Sequence, residues 1–412
     1  MRIDVDSERI VAELDTLAHF SDTEPPAVTR IVYSEADQRA RAWLKELCLA
    51  AGLAVREDAI GNLFARWQGS DASAGAVGTG SHIDAIPHSG RYDGTVGVIG
   101  GLEALRALRR SDFTPRKSIE LLAFISEEPT RFGIGCLGSR MLCGNLTAES
   151  AGLLTDRESR PLEAVRKAAG FTGGLASVIL PAQYYSSFVE LHIEQGPILE
   201  QERIPLGVVT SIAAPAALRI LIKGEGGHAG AVLMPKRRDA FLGAAEIALA
   251  VETGALGTGA VDTVGTCGLV EVFPGLANSI PSRVRLELDV RDTDVARRDS
   301  VLQNIAQACQ DVAARRKLQI TSTTLNADAP ATCGPAVVAA LEDACRADGI
   351  TYRGMVSRAY HDSLFMSRIA PTAMLFIPCK GGVSHRPDEY AAPEDLANGA
   401  RVLARTLAAL AS

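Results

Sequence analysis

Aromatic side chains are scarce in this chain: they make up 5% of 412 residues, with only 2 Trp. The core must therefore be mostly aliphatic, within an apolar share of 47%. Positive charge is not in excess either. Lys and Arg number 42 against 49 Asp and Glu, a net charge of −7. With no basic stripe among them, there is no electrostatic footprint for nucleic acid. No window approaches 18 consecutive apolar residues, so no membrane span is expected. The eight cysteines, at 48, 136, 143, 267, 309, 333, 345 and 379, form neither a C-x-x-C pair nor a short-spaced framework. They read as small buried hydrophobes in a reducing compartment. The first residues, Met-Arg-Ile-Asp-Val-Asp-Ser-Glu, are too charged for a signal h-region. These features make the cytoplasm the expected location. Fixed-period repeats and low-complexity segments are absent. The length exceeds one ordinary core, so two domains are expected.

What is present is a recurring pattern of apolar runs that stop at histidines or acids. Of the seven histidines (19, 82, 88, 192, 228, 361 and 385), most sit in glycine- or carboxylate-rich settings. The organising stretch is Gly78 to Thr95, where Ala76–Gly80 reads as a buried strand leading into His82, Asp84 and Asp93. Neutral imidazole and carboxylate are good ligands for zinc or manganese. Asp84 could fix the His82 tautomer. The run 118–125 ends at Glu127 and Glu128. Side chains alternate along extended chain, so one acid can face metal and the other substrate. Strand 187–193 closes on His192, and strand 373–379 leads to His385. Open α/β sheets place their sites at the carboxyl ends of strands. His19 and His88 read as structural or exposed.

Helical spacing of apolar residues marks 7–20, 35–52, 96–110, 336–348 and 393–410. Segments 54–57 and 62–67 read as a strand pair. Beyond Val209 the pattern changes: strand 217–223, helix 238–253, strand 262–273, strand 283–291, a helix from 296, and strand 318–325. That order, β-α-β-β-α-β, matches a split βαβ sandwich. The expected organisation is therefore an α/β catalytic domain over 1–209 and 327–412, with an inserted α+β, ferredoxin-like domain over 210–326. The inserted sheet has free edges that need cover, which suits a symmetric homodimer.

His82, Asp93, Glu127, Glu128, His192 and His385 together fit a two-metal hydrolase, in which paired ions clamp a water and a carbonyl oxygen. One remaining carboxylate must carry the water's proton to the leaving nitrogen.

Several motifs occur in order: Gly-Ser-His82-x-Asp84, Tyr-Asp93-Gly, Glu127-Glu128, Glu190-Leu-His192-x-Glu-Gln-Gly196, Gly227-His228-Ala-Gly, Asn278-Ser-Ile-Pro and Ser384-His385-x-Pro-x-Glu389. From about residue 10 to the end, the chain resembles the amidase/hydantoinase/carbamoylase branch of the M20 metallopeptidases. Three stretches, 126–140, 230–235 and 357–366, depart from the commoner Glu-Glu-Gly-Ser-Arg-Phe and Gly-Ala-Gly-His-Asp versions. They are similar to the subgroup acting on ureidoglycolate.

The resemblance implies a zinc-peptidase-like catalytic domain, with a mixed central sheet flanked by helices, and a dimerising insert. It implies two divalent ions per subunit, Mn2+ or Zn2+, held by His82, Asp93, Glu128, His192 and His385, with Asp93 bridging and a cis peptide after it. Glu127 is then the general base and acid, and Asp84 orients His82. His228 polarises the substrate carbonyl across a dimer interface. Arg291 and Asn278 grip a carboxylate. Gln195, Tyr360 and His361 read the ureido or hydroxyl groups. Each substrate-facing residue keeps a plainer alternative. Arg291 could be a surface strand charge and His228 a glycine-loop histidine. His361 could pair with Asp362 in the core, and Tyr360 could simply pack. The implied activity is hydrolysis of a small ureido acid, ureidoglycolate first, with allantoate or N-carbamoyl-L-amino acids as alternatives. A non-catalytic metal-dependent binding protein on the same scaffold is the alternative of another class.

Overall fold

The computed structural model describes all of residues 1–412. The chain divides into two compact units. One comprises Met1–Thr210, Thr332–Ser357 and His361–Ser412, the other Ser211–Ala331 with Arg358–Tyr360. The second unit thus runs beyond residue 326, because its last long strand, Gln319–Ala327, continues the sheet past the point where the sequence pattern stops being apolar.

The first unit is organised by a nine-stranded mixed sheet. At its centre, Thr372–Ile377, Tyr185–Ile193, Ala76–His82 and Ile119–Phe124 run parallel in that spatial order. Antiparallel strands flank them: Leu206–Ile212 on one side, Leu63–Trp67 and then Ala54–Glu57 on the other. The central strands are buried on both faces and read as apolar runs, as parallel strands covered by helices do. The helices Thr95–Arg110 and Pro393–Ala411 supply that cover. Gly97 lets the first of them lie close to the sheet, since a Cβ there would meet the Leu191 carbonyl oxygen at 2.4 Å.

The register carries the chemistry. His82 pairs with Phe124, and His192 with Phe376. The polar residues that follow these strands therefore leave the sheet along one edge. Several strands escaped the sequence reading; the longest of them, Leu206–Ile212 and Tyr352–Ser357, pair with each other.

The second unit is a four-stranded antiparallel sheet in the order Val264–Phe273, Arg283–Asp292, Ala214–Lys223, Gln319–Ala327. Helices Ala240–Gly257 and Val295–Arg316 pack on it. Numbering its strands by sequence gives the order 2-3-1-4, the split βαβ arrangement. The Asp239 and Asp294 carboxylates cap the two helices by accepting first-turn N–H bonds. By length and composition, Ala240–Gly257 is an exception to the expected lack of a membrane-length apolar segment, with mean hydropathy 1.4. Only a third of it is buried. Ala240, Ala244, Ile247 and Val251 face the sheet, while Leu249 and Leu256 are exposed.

Candidate metal centre and active site

Asp93 lies at the focus of the strand ends. Its Oδ1 is 3.3 Å from His192 Nε2 and 3.5 Å from His82 Nε2. Its Oδ2 is 3.3 Å from His385 Nε2, and that nitrogen is 3.1 Å from Glu128 Oε1. One carboxylate thus faces two separate donor sets, His82–Asp93–His192 and Asp93–Glu128–His385.

Backbone carbonyls engage the Nδ1 atoms of His82 and His192 and so aim their Nε2 atoms at Asp93. His192 Nδ1 lies 2.9 Å from the Ile193 carbonyl oxygen, and His82 Nδ1 lies 3.1 Å from that of Asp84. Each Nδ1 must carry the proton to make its bond, which turns each Nε2 towards Asp93, and the Gly94 N–H also donates to His192 Nε2 at 3.0 Å. The Asp84 carboxylate is 3.6 Å from His82 Nδ1. Its closer partners are the backbone N–H groups of Glu127 and Glu128, at 3.1 Å each. Asp84 therefore fixes the acidic pair directly, and touches His82 mainly through its own carbonyl.

Burial alone would raise the Asp93 carboxyl, but bonds from His192, His385 and His82 hold it well below the usual range. Burial pushes Glu127 well above its ordinary value, helped by Glu128, Asp362 and Asp84 and opposed by His82. His385 is raised to about 11 by Asp93 and Glu128. A buried pocket this rich in carboxylates draws positive charge, and divalent cations at the two donor sets answer that demand more fully than protons do. The donor chemistry fits a pair of metal ions.

Glu389 and Ser384 escaped assignment although they belong to a motif noted in the sequence. Glu389 Oε1 accepts from the Tyr92 and Asp93 N–H groups at 2.7 and 3.1 Å. Its Oε2 accepts from the Ser384 hydroxyl at 2.9 Å. Ser384 is also 2.6 Å from Asp93 Oδ2. The carboxyl of Glu389 is pushed up to about 7, chiefly by burial. The chain reversal at Asp93 is made by a trans peptide, not by the expected cis bond; the cis bonds are Pro25–Pro26 and Phe273–Pro274. Gly94 takes φ +67, and a Cβ there would lie 2.4 Å from the His82 ring. Positive φ and close approach at this glycine accomplish the reversal with a trans peptide.

The remaining candidates fall in different places. Gln195 Nε2 donates to Asp93 Oδ2 at 2.6 Å. The His361 ring is 4.4 Å from that of His192, and its Nε2 is 3.1 Å from the Ser357 hydroxyl. Its neighbour Asp362 accepts from the Ser139 hydroxyl and is pushed up to about 8 by burial and by Glu190. A cavity of about 510 Å³ is lined by Glu128 and His385 together with Ile86, Pro129, Arg131 and Arg157.

His228, Asn278, Arg291 and Tyr360 belong to the second unit. His228 and Asn278 are exposed neighbours on a small ribbon, where the Ala229 N–H donates to the Asn278 carbonyl at 3.0 Å. The Arg291 guanidinium forks onto Asp289 at 2.7 and 3.1 Å and lies 5.7 Å from the Tyr360 ring centroid. His19 is exposed and His88 stands at φ +58 on a half-exposed ribbon.

Comparison with known proteins agrees with this geometry. The description "Peptidase family M20/M25/M40" matches residues 78–409. A ureidoglycolate hydrolase of Oryza sativa subsp. japonica is 51% identical over 411 residues, covering 98% of this chain and 85% of the relative. An N-carbamoyl-L-amino acid amidohydrolase of Geobacillus stearothermophilus is 36% identical, covering 99% of each chain. The crystal structure of AtUAH in complex with glyoxylate superposes with a TM-score of 0.92 at 49% identity, covering 99% of this chain and 98% of the other. Strand-end donor sets, sheet topology and full-length similarity converge on one assignment: the chain belongs to peptidase family M20/M25/M40.

Proposed function

We propose that the chain is a binuclear metal-dependent amidohydrolase that converts ureidoglycolate and water to glyoxylate, carbon dioxide and two molecules of ammonia. The observation that carries the chemistry is Asp93, whose two oxygens serve two histidine–carboxylate sets with Glu127 beside them. The choice of ureidoglycolate over carbamoyl amino acids rests on 51% against 36% identity.

His82, Asp93 and His192 hold one ion; Asp93, Glu128 and His385 hold the other. When bound, Zn2+ or Mn2+ ions would acidify a water and polarise the ureido carbonyl. Glu127 accepts the water's proton and passes it to the leaving nitrogen, its Oε2 lying 3.8 Å from His82 Nε2 on the donor-set side. Loss of ammonia and carbon dioxide leaves an α-hydroxyamine, which collapses to glyoxylate and the second ammonia. Gln195 and His361, beside Asp93 and His192, read the ureido and hydroxyl groups together with Tyr360. Arg291 and Asn278 take the carboxylate, and Arg291 exchanges its Asp289 fork for the substrate's. His228 donates to the carbonyl oxygen of a second copy's substrate. A C2 homodimer through the inserted unit is supported by its exposed large apolar side chains, Leu249 and Leu256 on the helix and Val270 and Phe273 on the edge strand. Eight free, mostly buried thiols favour a reducing compartment, the cytoplasm.

Ammonia release from ureidoglycolate, allantoate and N-carbamoylalanine, measured side by side, tests the reading. Ureidoglycolate should lead by ~10⁴ or more if the site hydrogen-bonds its hydroxyl. Preference for either other substrate would overturn the substrate, and full activity after metal removal would overturn the metalloenzyme. Bound metal with no turnover of any ureido acid would leave a binding protein.

A further inference from the structure

The segment that follows the acidic pair folds back on it. The N–H groups of Cys136, Leu137 and Gly138 donate to the carbonyls of Glu127, Ser126 and Ile125 at 2.7, 2.9 and 3.0 Å. The loop is closed by two residues in left-handed backbone, Ser126 at φ +53 and Cys136 at φ +55. Glycine and asparagine tolerate that conformation best, and other residues occupy it at a cost. A cysteine held there is therefore not explained by the backbone. Its side chain offers an explanation. Cys136 is fully buried, and its Sγ lies 3.3 Å from Glu127 Oε1. Burial beside Glu127 and Asp362 raises the thiol well above its ordinary value, so the sulfur carries a proton and donates it. The other oxygen, Glu127 Oε2, faces the metal-ligand side at 3.8 Å from His82 Nε2.

We propose that Cys136 is a positioning residue: its S–H bond holds Oε1 of Glu127 so that Oε2 is presented to the attacking water. The two oxygens then have separate duties, one anchored and one working. Three groups fix the base from three directions: the Cys136 thiol on Oε1, the Cys136 N–H on the Glu127 carbonyl, and Asp84 on the Glu127 N–H. The inference rests on Glu127 being the base.

The test uses the metal-loaded full chain and the variants Cys136→Ala, Cys136→Gly, Cys136→Ser and Glu127→Gln, with Cys136→Ala also made in the Glu127→Gln background. Cys136→Gly suits the φ +55 backbone, so it removes the thiol while easing the strain. Misplacement of a reacting group by about 1 Å can cost ~10²-fold. Cys136→Ala and Cys136→Gly should thus lose roughly 10- to 100-fold in kcat, with KM and metal content unchanged. Cys136→Ser, which keeps a donor, should recover most of that loss. In the Glu127→Gln background Cys136→Ala should cost nothing further, because the thiol acts only through the carboxylate. Wild-type turnover in folded Cys136→Ala and Cys136→Gly would overturn the proposal, as would Cys136→Ser falling as far as alanine. Near-normal turnover in Glu127→Gln is a separate outcome, which removes the base itself.

Discussion

At the scale of single residues, several members of the two donor sets stood out because they close or follow an apolar run, where a polar group has few structural uses. His82, Glu128 and His192 show this directly. Their bracing was not legible. Glu389 reaches Asp93 from nearly 300 positions away, and spacing says nothing about such a contact. Asp84 was read towards His82 because the two are close in sequence, yet its carboxylate binds the Glu127 and Glu128 amides. Two outcomes belong to this scale. Asp93→Ala should weaken both ions together, since the carboxylate faces both donor sets; metal analysis finding one ion at full occupancy would confine Asp93 to one site. Arg291→Lys should raise KM strongly, because an ammonium cannot reproduce a guanidinium fork. An unchanged KM would place the substrate carboxylate elsewhere.

Helices and strands with clear periodicity matched expectation to within a few residues, among them Ser7–Ala18, Thr95–Arg110 and Arg283–Asp292. The misses are instructive. Leu206–Ile212 has its apolar run interrupted by Thr210 and Ser211, and Tyr352–Ser357 carries a glycine. Their strand character comes from distant partners, Thr372–Ile377 for the first and the first for the second, which a local window does not register. The edge strand Val264–Phe273 makes the opposite point. It alternates as a half-buried strand should, yet Val270 is 49% exposed on the outward face. An uncovered edge beside an apolar helix needs a partner or a deterrent charge. Val270→Lys, or Leu256→Glu on the helix, should therefore yield a monomer in sedimentation, with the sheet's own fold intact by circular dichroism. A variant that still sediments as a dimer would place the interface off this face.

For the whole molecule, the two-unit division was readable from the switch in element order, whereas the spatial order of strands was not. Nothing local says that Thr372–Ile377 pairs with Tyr185–Ile193. The ligand sets draw on residues from both sides of the insert, so metal couples distant parts of the first unit. Chelation should abolish activity and lower the thermal midpoint, and restored Mn2+ or Zn2+ should recover both. Free metal at 100 times its Kd adds about 2.7 kcal/mol per independent site. A midpoint indifferent to chelation would mean that the donor sets are empty in the working protein.

The placement of Thr372–Ile377 between Tyr185–Ile193 and Leu206–Ile212 also has a meaning in time. The ribosome delivers the His192 strand about 180 residues before its neighbour. At roughly 5–20 residues per second, that strand waits for roughly 10–40 s with one apolar edge bare. His385, which completes the second donor set, emerges later still. The inserted unit is made during this interval and, having its own core, can fold while the sheet stays open. Nascent chains arrested before Thr372 should therefore bind a chaperone that completed chains release, and equal capture of both would show that the open sheet is already sealed by other means.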